Sequence, residues 1–255
     1  GYKLVVVLNI DDGHERVVAW ALGGLARNEK TMLKGILKGL REEFGPLGEW
    51  IKLLVMDRGY WGAEFLGGLK RDEGIDYVTR SRDDDVDVVK NVEGLARLKS
   101  TIWHELPEQH SRLGNMLVRM AGFADLPLYD ENDVDHGPCQ VVIVEEYDLK
   151  RRRLQERPRF HYVTSLPVDP SDAESVQQIR TYYRRRWSVE NQGFWVMTKR
   201  WNLDTLVARD LNAIRARLNF AMQLYNAENC CAWKHPGSFQ QELPRLKRPP
   251  TGERL

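Results

Sequence analysis

The most informative stretch of the sequence is residues 182–201, which read Tyr-Tyr-Arg-Arg-Arg-Trp-Ser-Val-Glu-Asn-Gln-Gly-Phe-Trp-Val-Met-Thr-Lys-Arg-Trp. It is basic and rich in aromatic residues, yet it holds one acid, Glu190. Tyr183, Arg186 and Glu190 are spaced i, i+3 and i+7, so a helix places them on one face. A carboxylate beside a phenol and a guanidinium suits a metal ion and phosphate oxygens. The alternative interpretation is the solvated basic face of an amphipathic helix.

A second motif surrounds Asp57. Residues 51–56 are apolar and predict a strand that ends at Asp57, which Arg-Gly-Tyr follows. A helix over residues 63–70 and a strand over residues 75–79 come next, and this order predicts a mixed α/β sheet. Ligand sites in such sheets lie beyond the carboxyl ends of strands, where Asp57 falls. The alternative interpretation of Asp57 is an aspartate of a plain turn.

Together the two motifs resemble those of bacterial insertion-sequence DDE transposases. In that family Tyr-x2-Arg-x3-Glu surrounds the last catalytic acid and continues x6-Lys, whereas this chain carries Met197 at the lysine position. Asp-Arg-Gly-Tyr resembles the segment around the second acid. The resemblance extends over roughly residues 3–227. It implies an RNase H-like α/β fold, a mixed sheet flanked by helices, with a strand-rich insertion between the second and third acidic residues.

The resemblance also implies a chemistry, which is phosphodiester hydrolysis and strand transfer at transposon ends. Two divalent cations, Mg²⁺ or Mn²⁺, serve this chemistry in two-metal sites. Asp57 and Glu190 are the implied catalytic metal ligands, and the implied DNA contacts are Tyr183, Arg184, Arg186 and Arg200. The implied partners are transposon-end and target DNA, together with a second copy of the chain in a synaptic complex. The implied location is the cytoplasm, in association with the nucleoid.

The first acid of the family's triad is expected on the first strand of the sheet, before a hairpin. Residues 3–10 and 16–22 match the second and third strands, which predicts an N-terminally truncated catalytic domain whose first acid precedes Gly1. Alternatively, residues 3–10 are the first strand and Asp11 or Asp12 supplies the acid. Three functions stay open: a transposase, a catalytically inactive DNA-binding remnant, and an RNase H-like nuclease without strand transfer.

Charge is distributed unevenly along the chain, although the net charge is +1. Residues 150–255 hold 20 Lys and Arg against 10 Asp and Glu, whereas residues 1–149 hold 18 against 27. A basic half favours a polyanionic partner, and an acidic half favours metal coordination or plain solubility. No apolar run is long enough to predict a membrane helix. The three cysteines do not form a disulfide framework, and none is spaced with histidine as in a zinc site.

The pattern along the chain predicts four segments: an N-terminal part of the catalytic core over residues 1–82, an insertion over 83–159, a C-terminal part of the core over 160–235, and a disordered tail over 236–255. Asn28 is predicted to cap a helix over residues 28–40. Ser171 and Glu174 form a capping box that predicts the start of the basic helix. A core helix is predicted over residues 206–227, and strands over 141–144 and 160–166 are predicted to pair.

Overall fold

The structure is a computed structural model that describes residues 1–11, 14–81, 87–110, 114–148, 159–187, 189, 194–199 and 210–234. The strands are β1 (Tyr2–Asp11), β2 (His14–Gly24), β3 (Leu53–Val55), β4 (Asp76–Arg80), β5 (His104–His110), β6 (Gly114–Tyr129), β7 (Asp135–Asp148) and β8 (Phe160–Thr164). The helices are α1 (Glu29–Phe44), α2 (Ala63–Arg71), α3 (Asp87–Leu95), α4 (Ala173–Arg185), α5 (Trp195–Lys199) and α6 (Leu211–Lys234). Short 3₁₀ turns cover Leu47–Glu49 and Arg58–Tyr60.

The chain divides into two compact units, and the first combines Gly1–Gly39 with Trp187–Leu255. In this unit β1 and β2 form an antiparallel two-stranded sheet, which confirms the predicted hairpin. Helix α6 packs on β2, and its Asn226 side chain accepts from the Val17 amide at 2.7 Å and donates to the Val17 carbonyl at 2.8 Å. Because the side chain satisfies both backbone groups of one strand residue, it fixes the helix to the strand.

The second unit, Leu40–Arg186, is built on a six-stranded sheet with the order β3-β4-β8-β7-β6-β5. Strands β3 and β4 are parallel, and the remaining neighbours are antiparallel. This mixed sheet flanked by helices confirms the RNase H-like α/β prediction. The predicted pairing of the strands around residues 141–144 and 160–166 is also confirmed, as β7 and β8. Strands β5 and β6 and helix α3 were not predicted individually, and the two strands extend the same sheet within residues 83–159, the segment predicted as an insertion.

Helix α4 packs on one face of this sheet over a buried apolar cluster. The cluster joins α4 to the strands through Val78, Val118, Met120, Val142, Val144, Tyr162, Val168, Val176, Ile179 and Tyr183. Gly122 of β6 permits the close approach, because a Cβ atom there would lie 2.9 Å from both the Val168 and Val176 side chains. The sheet and the helix therefore meet with no space for a larger residue at this position.

The helix starts were predicted with mixed success. Asn28 caps α1 as predicted, since its side chain accepts from the Lys30 amide at 2.8 Å. The prediction that Ser171 caps the basic helix was wrong. Asp172 caps α4 by accepting from the Glu174 and Ser175 amides at 3.0 and 3.3 Å. The Ser171 hydroxyl instead donates to Asp169 at 2.7 Å and does not cap the helix.

Several predicted extents changed in detail. The strand predicted over residues 51–56 is shorter, since Ile51 donates its amide to Leu47 in a turn rather than to the sheet. The predicted core helix is α6, which begins at Leu211 and ends at Lys234. The division into four segments stays a prediction, and its tail, residues 236–255, lies outside the described residues. Among the helices that the structure describes, none combines the length and the apolar character needed to cross a membrane.

Substitution of two neighbouring glycines of α2, Gly67 and Gly68, would test how tightly this helix packs. A Cβ atom at Gly67 would lie 2.5 Å from the His136 carbonyl oxygen, whereas the nearest atom to one at Gly68 is an Asp72 carboxylate oxygen at 3.4 Å. We expect Gly67→Ala to lower the free energy of unfolding by about 1–3 kcal/mol through overpacking. We expect Gly68→Ala to raise it by up to about 1 kcal/mol, because alanine favours helix. Urea unfolding followed by circular dichroism measures both, and equal effects would contradict the packing described.

Candidate active site

Asp57 lies immediately beyond β3, at the carboxyl end of the strand. Its carboxylate Oδ1 accepts from the Arg58 amide at 2.7 Å and so caps the 3₁₀ turn Arg58–Tyr60. On the other side, Thr79 of the parallel neighbour β4 donates its hydroxyl to the Asp57 carbonyl oxygen at 3.3 Å. The side chain of Asp57 is nonetheless 50% exposed. The turn and the neighbouring strand therefore fix the backbone of Asp57 while its carboxylate stays accessible.

Two residues from the end of α4 approach this carboxylate. The Tyr183 hydroxyl donates to Asp57 Oδ1 at 3.4 Å, although the residues are 126 positions apart. Arg186, the residue that follows the last turn of α4, places Nη1 3.9 Å from Asp57 Oδ2. Tyr183 is buried and the Arg186 side chain is only 12% exposed, so neither group swings freely in solvent. The structure thus brings together three of the predicted site residues around one carboxylate.

The aromatic ring of Tyr183 is part of the core, whereas its hydroxyl belongs to the site. The ring lies 4.6 Å from the Tyr162 ring, centroid to centroid, and the Arg186 guanidinium lies 5.5 Å from the Tyr183 centroid. Burial raises the pKa of the Tyr183 hydroxyl, with Arg186 and Arg80 opposing the rise and Asp57 adding to it. The phenol therefore remains protonated at neutral pH and serves as a hydrogen-bond donor.

The other arginines of the basic stretch differ in position. Arg184 forms an ion pair with Glu108 of β5 rather than with Asp57. Arg185 lies over the ring of Tyr182 at 5.9 Å from its centroid, on the exposed side of α4. The prediction that Arg184 contacts DNA stays a prediction, and the structure adds a second role for this residue in holding α4 to the sheet.

Three predicted site residues, Glu190, Asp12 and Arg200, lie outside the described residues, and their roles stay predictions. Met197, which stands where the family pattern has lysine, is only 1% exposed. It packs in the core of the first unit with Val17, Met222 and Tyr225. This position is therefore occupied by an apolar core residue, which explains how the chain accommodates the departure from the pattern.

The chemistry of Asp57 fits one ligand of a divalent-cation site. Mg²⁺ prefers carboxylate oxygens as ligands. Both hydrogen bonds described for the Asp57 carboxylate go to Oδ1, whereas Oδ2 lies 3.9 Å from Arg186 Nη1. Across the residues that the structure describes, no three His, Cys, Asp or Glu side chains gather as a metal-binding group. Asp57 therefore needs further acids to hold a cation, and Glu190 is the predicted one.

Sequence reasoning missed the residues that support this site. Thr79 fixes the backbone of Asp57, and Tyr162 stacks on Tyr183. Thr79 lies at the carboxyl end of β4, which follows β3 in a strand–helix–strand unit, so its position beside Asp57 could have been inferred from the parallel pairing. Tyr162 carried no such signal, because its place beside this site depends on the antiparallel pairing of β8 with β4, which was not predicted.

Substitutions at Tyr183 separate its two roles. We expect Tyr183→Phe to lower the free energy of unfolding by less than about 1 kcal/mol, because the lost hydrogen bond is long and its acceptor is half exposed. We expect Tyr183→Ala to lower it by about 3–5 kcal/mol, because the ring fills the core under α4. Chemical denaturation of both variants tests this, with Tyr182→Phe as the matched control. A loss above about 2 kcal/mol in Tyr183→Phe would show that the hydroxyl is structural.

A family model described as "Transposase DDE domain" matches residues 1–227. The matched range contains both units' described helices up to the middle of α6, the Asp57 turn and the whole of the basic stretch. A search of curated proteins returned no match. Because the family model covers most of the chain, and the resemblance of the two motifs agrees with it, the chain belongs to the transposase DDE domain family.

Proposed function

We propose that this chain is a DNA transposase catalytic domain that carries out phosphodiester hydrolysis and strand transfer at transposon ends. Membership of the family supports a transposase-type nuclease function. One observation carries the finer proposal: the Tyr183 hydroxyl and the Arg186 guanidinium converge on the carboxylate of Asp57. These are the residues that the family pattern associates with its second and third acids. The basic balance of residues 150–255 supports a polyanionic substrate.

Each site residue has a role in this proposal. Bound Mg²⁺ or Mn²⁺ ions would supply activation of the attacking hydroxyl and stabilisation of the leaving oxygen. Asp57 and Glu190 are the proposed ligands. Tyr183 holds Asp57 Oδ1 through its hydrogen bond and leaves Oδ2 available. Arg186 brings a positive charge beside Asp57, where it pairs with a phosphate oxygen of the bound strand. Arg184 and Arg200 are proposed as further phosphate contacts.

The first acid of the triad is proposed to lie on a strand that precedes the hairpin in family order. Asp12 remains the alternative source of the first acid.

A catalytically inactive DNA-binding remnant is the second candidate function. It would keep the basic helix without a complete metal site, and it needs only the positive charge of residues 150–255 to bind DNA. An RNase H-like nuclease without strand transfer is the third. Assembly of two copies in a synaptic complex, and a cytoplasmic location with association to the nucleoid, are proposed from the family alone.

Cation binding separates the catalytic candidates from the remnant. We expect the chain to bind Mn²⁺, and we expect Asp57→Asn and Glu190→Gln each to weaken binding about tenfold or more, because each removes a charged ligand. Electron paramagnetic resonance titration measures the free ion. Asp72→Asn is the matched control, since Asp72 is exposed and paired with Arg71.

The same titration addresses the first acid. Asp12→Asn should leave Mn²⁺ affinity unchanged if the first acid precedes the hairpin, and should weaken it as Asp57→Asn does if Asp12 is the ligand. Absence of Mn²⁺ binding at millimolar concentration would contradict the catalytic proposal and favour the remnant.

DNA binding tests what the transposase and the remnant share. We expect duplex DNA to bind with an affinity that falls steeply as salt rises, because Lys and Arg contacts release counterions. Arg186→Gln and Arg200→Gln should each reduce the slope of log affinity against log salt by about one. Arg71→Gln, on α2 and paired with Asp72, should leave the slope unchanged. If filter binding finds no affinity at low salt, neither function holds.

A further inference from the structure

A cluster of charged residues around the buried Arg180 joins α4 to strands β5 and β7. The guanidinium Nη2 of Arg180 donates to Glu108 of β5 and to Glu146 of β7, both at 2.8 Å. Glu108 also pairs with Arg184, one turn further along the helix. The Arg180 side chain is only 9% exposed. We call Arg180, Arg184, Glu108 and Glu146 the α4 ion cluster.

The cluster spans the whole width of the insertion. Strand β6 lies between β5 and β7 in the sheet, so one guanidinium reaches across it to both outer strands. The acids lie on the face that carries the apolar cluster under α4, because side chains alternate along a strand and Leu106 and Val144 of the same strands belong to that cluster. The cluster therefore ties α4 to β5 and β7, the strands on either side of β6.

The position of the cluster along α4 matters for the site. Arg180 lies three residues before Tyr183 and six before Arg186, the two residues that meet Asp57. Each residue advances a helix by about 100°, so rotating α4 by one residue would turn Tyr183 away from Asp57. The rotation of the helix at Arg180 thus determines whether the Asp57 contacts can form.

Stability alone explains this cluster poorly. Removing charges from water costs much of what their attraction returns, and apolar residues of similar size often serve as well. In the described part of the chain the Nε of Arg180 is buried with no hydrogen-bond partner, which is a further cost. What a buried charge does provide is a single allowed geometry, since a displaced helix would leave Arg180 and both acids unpaired.

Glu108 remains ionised within the cluster. Burial raises the pKa of Glu108, but its hydrogen bonds to Arg184 and Arg180 outweigh burial and hold the pKa below the usual value. Glu108 therefore keeps its charge at neutral pH and continues to anchor the helix.

We infer that Arg180 is a positioning residue: through the α4 ion cluster, the insertion sets the rotation of α4 so that Tyr183 and Arg186 meet Asp57. This assigns the insertion a role at the site, although none of its residues touches Asp57 among the contacts described. The effect on the geometry of Tyr183 is independent of the proposed function. Any effect on cation binding rests on that function.

A matched control exists on the opposite face of the same strands. Arg119 of β6 lies 3.1 Å from Glu105 of β5 and 3.3 Å from Glu145 of β7. It bridges the same two outer strands as Arg180 but faces away from α4, because its neighbours Val118 and Met120 belong to the cluster under the helix. Arg119→Met therefore removes a guanidinium that bridges the same two strands, β5 and β7, from the face that does not carry α4.

The experiment uses fluorine NMR of the full chain labelled with 3-fluorotyrosine. The Tyr183 resonance is assigned by its absence in Tyr183→Phe. We expect Asp57→Asn to shift this resonance in the otherwise unchanged chain and in Arg119→Met. In Arg180→Met we expect the resonance to move and its response to Asp57→Asn to disappear. Arg180→Lys, which keeps a cation near both acids, should restore part of the response.

The outcomes are distinct for the two proposals. A Tyr183 resonance that still responds to Asp57→Asn in Arg180→Met would overturn the positioning role. If Arg180→Met does not fold, Glu146→Gln, which keeps the shape of the acid, should weaken the response, and an unchanged response would overturn the role. Mn²⁺ affinity should fall about tenfold in Arg180→Met and stay unchanged in Arg119→Met. Failure of the unaltered chain to bind Mn²⁺ would contradict the proposed function while the NMR result still decides the positioning role.

Discussion

The packing of α4 on the six-stranded sheet is the interaction on which the candidate site depends. Val176 and Ile179 bury their side chains against β6 and β7, and Gly122 lets the helix approach closely. Each such side chain contributes about 1.5–3 kcal/mol through burial. Only with the helix in this place can residues from the end of α4 reach the tip of β3. The site is therefore a product of core packing, and its two halves have no local relation in the sequence.

Tyr183 shows how closely the core and the site are combined. Its ring stacks on Tyr162 inside the apolar cluster, while its hydroxyl reaches the half-exposed Asp57. A tyrosine suits this boundary because it has an apolar body and a polar tip. A binding site requires that packing holds the ring of such a residue in place while the hydroxyl stays within reach of its partners. The ion cluster around Arg180 adds a directional constraint that apolar packing does not supply.

In the first unit an apolar residue, Met197, occupies the position at which the family pattern has a charged lysine. Met197 lies in the core of this unit. The hairpin is held to α6 by Asn226, which satisfies both backbone groups of Val17, and by the Tyr225 hydroxyl, which donates to Glu15 at 2.8 Å. The basic stretch, residues 182–201, therefore contributes Tyr183 to the core of the second unit and Met197 to the core of the first.

The sequence by itself determined the local elements and the family. Sequence patterns located the hairpin and helices α1, α2 and α6, and the Asp-Arg-Gly-Tyr turn placed Asp57 at a strand end. The spacing of Tyr183 and Arg186 put both on one helix face. Tertiary structure alone decided that β5 and β6 extend the sheet and that Arg180 joins α4 to β5 and β7. Such features depend on pairing between residues far apart in the chain, and local patterns carry no information about which distant strand a side chain will meet.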